Sequence, residues 1–181
     1  MKTTMVVGTV GAIVLGMTAA ASAGEPTGFR DVPWGASEET LRFRVQTQSC
    51  DVVDPAVDLG TRRCVAAGSV TFGRVRPNAV FFYFRNDMLV AWQISAHPRF
   101  RVTLARSLMA QYGKPTVVYK GNHVTWKGHT CDLDFVGGAV QDTIVAVTKA
   151  EQMTREAERR RDPRTESEKH ASAERSASRP R

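Results

Sequence analysis

Within the twelve residues from His123 to Asp134 the chain sets two histidines, a cysteine and two aspartates: His123, His129, Cys131, Asp132 and Asp134. Imidazole, thiolate and carboxylate groups are the ligand types of a zinc-like centre, and a Cys–His pair is the kernel of a nucleophilic enzyme. Whether they act together depends on the strands that carry them. If Lys127-Gly128 is a two-residue turn, His123 pairs with Asp132, Val124 with Cys131 and Trp126 with His129. Cys131 and His129 then share a face with Val124, Trp126, Leu133 and Phe135, and His123, Asp132 and Asp134 lie on the opposite one. The sheet divides the set, because neighbouring residues of a strand point to opposite sides. No metal site is predicted on this register; His123 and Asp132 are the candidates left. An exported enzyme or metal-binding protein built on this region is the alternative reading.

Other catalytic signatures are absent from the sequence. There is no G-x-S-x-G, and Ser37, Ser69, Ser95 and Ser107 stand in no motif that ties them to a histidine and an acid. GSVTFGRV has two glycines at the wrong spacing for a dinucleotide or phosphate loop. No cofactor is expected and no catalytic residue is assigned.

The elements that must position these residues read as one α+β unit over residues 24–149. Ser37 is an N-cap, with Glu38 and Glu39 in the first turn where the helix dipole favours acids. Leu41 and Val45 then share a helical face. CDVVDPAVDLGTRRC reads as a loop and SVTFGRV as a strand. In AVFFYFRNDMLVAWQIS, Asn86-Asp87 is a two-residue hairpin turn. It sets Phe84 opposite Leu89, Tyr83 opposite Val90, Phe82 opposite Ala91 and Phe81 opposite Trp92. Leu104, Leu108 and Tyr112 form the stripe of a second helix, stopped by Gly113 and Pro115. TVVYKGNHVTW, HTCDLDF and AVQDTIVAVT are three further strands. The expected fold is two short helices on an antiparallel sheet, in the order αβββ-αβββ.

The hairpin is apolar on both faces, whereas a sheet with one wet face alternates with polar residues. Phe82, Phe84, Leu89 and Ala91 would line one face and Phe81, Tyr83, Val90, Trp92 and Ile94 the other. One of them must be covered by something besides the helices: a loop, the last strands, a partner or an apolar ligand. Phe81, Tyr83 and Trp92 are the candidate anchors of such a surface, and Trp34 joins them only on the alternative reading, as an exposed aromatic that grips a ligand. The expected role of Trp34 is packing, with its indole laid over the first helix or the sheet edge.

The ends of the chain bear on location. Lys2, the apolar run MVVGTVGAIVLGM and the small residues around Ser22 have the layout of a signal peptide over residues 1–23, cleaved after Ala23. The run is too short for a spanning anchor, and no cysteine sits at the junction for lipidation. Residues 150–181 are charged and nearly devoid of large apolar side chains. The spacing of Glu151 with Arg155 and of Glu156 with Arg160 predicts a short helix, ended by Pro163, with disorder beyond. The formal charge is +7, spread as 15 Lys/Arg against 11 Asp/Glu over 24–149 and 9 against 7 over 150–181. That diffuse balance argues against nucleic acid and leaves an envelope protein or an anionic envelope surface as the partner class. Three cysteines in an oxidising compartment allow one bridge. Cys50 and Cys64 bracket thirteen residues and are the expected pair, with Cys131 a buried apolar residue.

FRDVPWGAS, FFYFRNDMLVAWQIS, LARSLMAQYGKP and HVTWKGHTCDLDF together resemble a group of small exported bacterial proteins of uncharacterised function. In that group a W-G-x-S motif precedes a helix and a Y-G-x-P motif ends one. More distantly, the layout is similar to the modules of β-lactamase-inhibitor proteins and of the small lipoprotein of the outer-membrane barrel assembly machinery. The resemblance implies a binding or assembly role without catalysis, and it supplies no catalytic residues. The resulting expectation is a periplasmic or secreted, non-enzymatic interaction module.

Overall fold

The computed structural model describes residues 24–67 and 70–161. The expected signal peptide and the part of the tail after residue 161 lie outside the described residues. A two-stranded ribbon, β1 (Gly28–Phe29) and β2 (Val32–Pro33), leads into helix α1 (Glu38–Arg44). Strands β3 (Thr47–Val52), β4 (Arg62–Ala66), β5 (Ala79–Arg85) and β6 (Met88–Ala96) follow. A 3-10 turn at Pro98–Phe100 opens helix α2 (Arg101–Tyr112). Strands β7 (Val117–Tyr119), β8 (His123–Lys127), β9 (Cys131–Gly137) and β10 (Asp142–Thr148) come next, then helix α3 (Lys149–Arg161).

Strands β3 to β10 form one antiparallel sheet in the order β3-β4-β5-β6-β10-β9-β8-β7. Each of the first two helices is thus followed by a four-stranded meander, and the meanders meet through their last strands, β6 against β10. The fold is α+β as expected, but the order is αββββ twice rather than αβββ twice. Three local causes account for the difference. The segment read as a loop is a hairpin whose strands β3 and β4 set Cys50 directly opposite Cys64. Residues 70–75 of SVTFGRV form no strand: Gly73 sits at φ 58° between Phe72 and Val75, which make an isolated bridge. TVVYKGNHVTW is broken into β7 and β8 by Gly121 and Asn122, both at positive φ, where an L residue other than Asn or Asp is strained.

The helix boundaries follow from the caps. Ser37 Oγ accepts the Thr40 N–H at 3.2 Å, and Gly113, at φ 78°, closes α2 by donating its N–H to Met109 O at 2.9 Å. Leu41 and Val45 from the first helical segment and Leu104 and Leu108 from the second pack on one face of the sheet. That face carries Phe82, Phe84, Leu89, Trp92, Ile94, Leu133, Phe135, Ile144 and Ala146. Phe29 of β1 plugs the middle of this core, edge-on to Phe82 at 5.0 Å and to Trp92 at 5.4 Å.

Asn86 and Asp87 form the two-residue turn, both at positive φ, as a type I′ hairpin requires. Beyond Phe84 opposite Leu89 the register departs from the expected one. A bulge absorbs Val90, so Tyr83 faces Ala91, Phe82 faces Trp92 and Phe81 faces Gln93. Leu89 is held out of step by the W-G-x-S segment: Gly35 N–H donates to Leu89 O at 3.0 Å, and Leu89 N–H donates to Ala36 O at 2.9 Å. One extra residue reverses the facing of everything after it, and Trp92 and Ile94 go to the helix-covered face with Phe82.

Candidate functional site

The second face of the sheet can be read from the register, because residues directly opposite in an antiparallel pair project to the same side. Its middle rung runs without interruption through Val65, Phe81, Gln93, Val145, Asp134, Thr125 and Val117. One flanking rung is Ala79, Ser95, Thr143, Val136, His123 and Tyr119. The other is Arg63, Tyr83, Ala91, Val147, Asp132 and Lys127. Ser95 and Thr125 are buried on this face, Phe81, Gln93, Val145 and Asp134 are half-buried, and the last rung has the clearest cover. Leu59 packs on a small cluster of Tyr83, Val90, Ala91 and Val147, and α3 docks beside it.

That docking is ionic. Glu151 has a side chain with no solvent exposure and receives Arg85 Nε at 2.6 Å and Nη2 at 2.9 Å. Glu158 takes Arg85 Nη1 at 2.8 Å. Two carboxylates on one guanidinium hold its pKa above the ordinary arginine value, through the Glu151 hydrogen bond above all. Lys149 closes the arrangement by pairing with Asp132.

The second face holds two groups of polar and aromatic side chains, one of them reaching into the covered rung through the buried Tyr83. On β5 and β6, Tyr83 Oη donates to Gln93 Oε1 at 3.0 Å, and the Arg63 guanidinium lies 5.5 Å from the Phe81 ring. Burial, then the charge of Asp58, raises the Tyr83 pKa and keeps its hydroxyl a donor. On β7 to β9, His123 Nε2 is 3.1 Å from Asp134 Oδ1, Thr125 Oγ1 donates to the same carboxylate oxygen, and the Tyr119 ring stacks on His123 at 4.6 Å. A carboxylate that orients an imidazole is half of a general-base arrangement; the neighbours here are a stacked phenol and a threonine whose hydroxyl is given to the same aspartate.

Of the five residues that suggested chemistry, His123 and Asp134 are brought together and the set as a whole is divided. Lys127 pairs with Asp132 and His123 with Val136, because Gly128 closes a longer loop by donating to Cys131 O at 3.0 Å. The expected two-residue turn is not formed, and Val124 faces Phe135 and Trp126 faces Leu133. The change of register is even, so each strand residue keeps its expected side. His123, Asp132 and Asp134 stay on the second face, with His123 and Asp132 no longer opposite each other. Cys131 is fully buried beneath the first face, where its thiol donates to Pro26 O at 3.2 Å. His129 is exposed in the β8–β9 loop.

Of the four candidate surface aromatics, Phe81 and Tyr83 lie on the second face. Trp92 is corrected to the core: it is 1% exposed and its indole N–H donates to Gly28 O at 3.0 Å, because the bulge at Val90 turned it over. Trp34 is half-buried against the core and donates to Pro26 O at 2.8 Å, which is the packing role. Gln93, Val145 and Thr125 were not singled out from the sequence. Their place on the middle rung depends on the same bulge and on the β6–β10 seam.

Cys50 and Cys64 form the expected disulfide, and Cys131 is free. Glu38 lies beside the bridged pair, but sulfur atoms in a disulfide are not thiolate ligands. Glu38 is taken up by Arg62 and Arg42 instead. No described helix is long and apolar enough to cross a membrane. No family model, curated protein or solved structure matches the chain.

Proposed function

We propose that this chain is an exported envelope protein that works by binding, and that the open second face of its sheet is the binding surface for a protein partner. The observation that supports this reading is the partly exposed middle rung on the face away from α1 and α2. The sheet face turned away from α1 and α2 carries the half-buried Phe81, Gln93, Val145 and Asp134 in one row, flanked by Tyr119 and His123. Aromatic side chains amid neutral and charged hydrogen-bonding groups form the mixed surface of a non-obligate interface. The row lies on a rigid, fully paired sheet, so a partner meets a preorganised surface and little ordering entropy is lost on docking.

Export is supported by the N-terminal apolar run with its small-residue junction and by the Cys50–Cys64 bridge, a bond kept in oxidising compartments. The resemblance to small exported proteins and to β-lactamase-inhibitor modules points the same way. The test is site-specific photo-crosslinking in the periplasm, with the reactive residue at Gln93, at Val145 or, as a control, at the exposed Met153 of α3. A defined adduct from positions 93 and 145 that is missing from 153 is the expected result. Adducts of equal yield at all three positions would refute the assignment of the face.

A further inference from the structure

Helix α2 has two apolar stripes and uses only one in the core. Leu104 and Leu108 are fully buried, whereas Val102 is 60% and Met109 43% exposed. Val102, Ala105, Arg106 and Met109 form the flank of α2 that borders a groove of about 350 Å³, at the low end of the range for small-molecule sites. Val124, Trp126 and Phe135 line its sheet side, and Pro115 and Asn122 contribute further lining. The Trp126 indole N–H donates to Gly113 O at 2.9 Å, so its polar atom already has a partner.

The charged residues that line this groove are both basic, Arg101 and Arg106. Between Asp87 and Asp132 the chain carries no acidic residue and six basic ones: Arg99, Arg101, Arg106, Lys114, Lys120 and Lys127. Two of them line the groove. Arg101 is committed to Asp142 at 2.7 Å and to Gly138 O. Arg106 has no ionic partner among the described residues and is exposed. Lys114 adjoins the lining residue Pro115 in sequence, and Lys120 lies two positions before Asn122.

We propose that this groove binds a single-chain anionic amphiphile, an acyl chain ending in a carboxylate, with the chain against Val102, Met109, Trp126 and Phe135 and the carboxylate on Arg106. Charge complementarity selects the anionic end, and a guanidinium presents a fork that fits a carboxylate. The lining selects the chain. A peptide laid in the groove would bring amides that lose water, and only Asn122 and the arginines could answer them; an acyl chain brings no such groups. The site lies on the helix side of the sheet, separate from the open face assigned to a protein partner.

Calorimetric titration of the full chain with dodecanoate, below its micelle concentration, tests the proposal. The expected result is saturable binding of one dodecanoate per chain, weakened about tenfold or more for dodecanol and for Arg106→Glu, the loss of one charge-assisted contact. Met109→Asp, which puts a like charge beside the chain, should abolish it. Both positions are exposed, so unchanged thermal unfolding shows that the variants fold. Equal affinity for dodecanol and dodecanoate, or an Arg106→Glu variant that binds as the parent does, would overturn the carboxylate site. Three further outcomes would also overturn it: binding to anionic vesicles with none to monomeric dodecanoate, a ligand-free dimer that Met109→Asp dissociates, or capture of an apolar acidic peptide in preference to dodecanoate.

Discussion

Burial pushes the Cys131 thiol up to about 12, with Glu25 adding to the shift, and burial raises the Tyr112 hydroxyl to about 12 as well. In the unfolded chain these groups lose their protons near their ordinary values of 9.0 and 10.0. The unfolded state therefore binds fewer protons above pH 9, and stability falls as the pH rises from there to about 12. Urea midpoints measured across that window should decline, and Cys131→Ala with Tyr112→Phe should flatten the slope. The same burial makes Cys131 unreactive toward alkylating reagents at neutral pH until the protein unfolds. The other two cysteines carry a separate expectation. Non-reducing peptide mapping should return Cys50 joined to Cys64, and reduction should cost about 3 kcal/mol of stability in the chain-entropy account of a loop this size. These three residues were legible in the sequence because spacing and compartment chemistry constrain cysteines. Trp92 was not. Its facing is decided by Leu89, whose backbone is tied to Gly35 and Ala36 more than fifty positions earlier, and no local pattern reports that tie.

At the level of elements, α3 shows what composition reveals and what it hides. The helix itself was readable: Glu156 and Arg160 pair at i,i+4 as their spacing suggests. Its attachment was not, because Glu151 bypasses Arg155 and pairs with Arg85, sixty-six residues away. An apolar stripe announces docking in a sequence, whereas a buried ion pair leaves only two ordinary charged residues. Removing Arg85 would strand the Glu151 carboxylate without a partner in a site closed to water, a loss of about 3 kcal/mol. Glu158 is 43% exposed, so Glu158→Ala should cost less than about 1 kcal/mol. Chemical denaturation of the two variants separates the cases; equal effects would mean that α3 is held by something other than the Arg85–Glu151 pair. The same logic covers α2, whose first residue, Arg101, is clamped to the fully buried Asp142 on β10. The sequence showed the Leu104–Leu108 stripe that buries the helix. It did not show that β7 would be only three residues long and leave the Val102–Met109 flank beside an open groove.

For the molecule as a whole, the two helix-and-meander halves relate through a single seam. Trp92 and Ile94 of β6 stand opposite Ala146 and Ile144 of β10, and together they form the middle of the core. Neither half completes that core alone. A fragment of residues 97–161 should show no cooperative thermal transition by circular dichroism, in contrast to the full chain; a sharp transition in the fragment would mean that the halves are independent. The repeated helix–strand layout was visible in the sequence, but not the count of strands per half, which depended on two segments whose turns carry positive φ. The seam also fixes an order of events during synthesis. β6 is nine residues long and almost wholly apolar, and its seam partner is the last strand of the sheet. Until Asp142–Thr148 arrives, β6 has a free edge of the kind that recruits other chains. Contacts this distant in sequence also form slowly. A holdase that grips extended apolar chain would therefore have to remain on β6 until the C-terminal strand emerges, and its early release would favour aggregation through that edge.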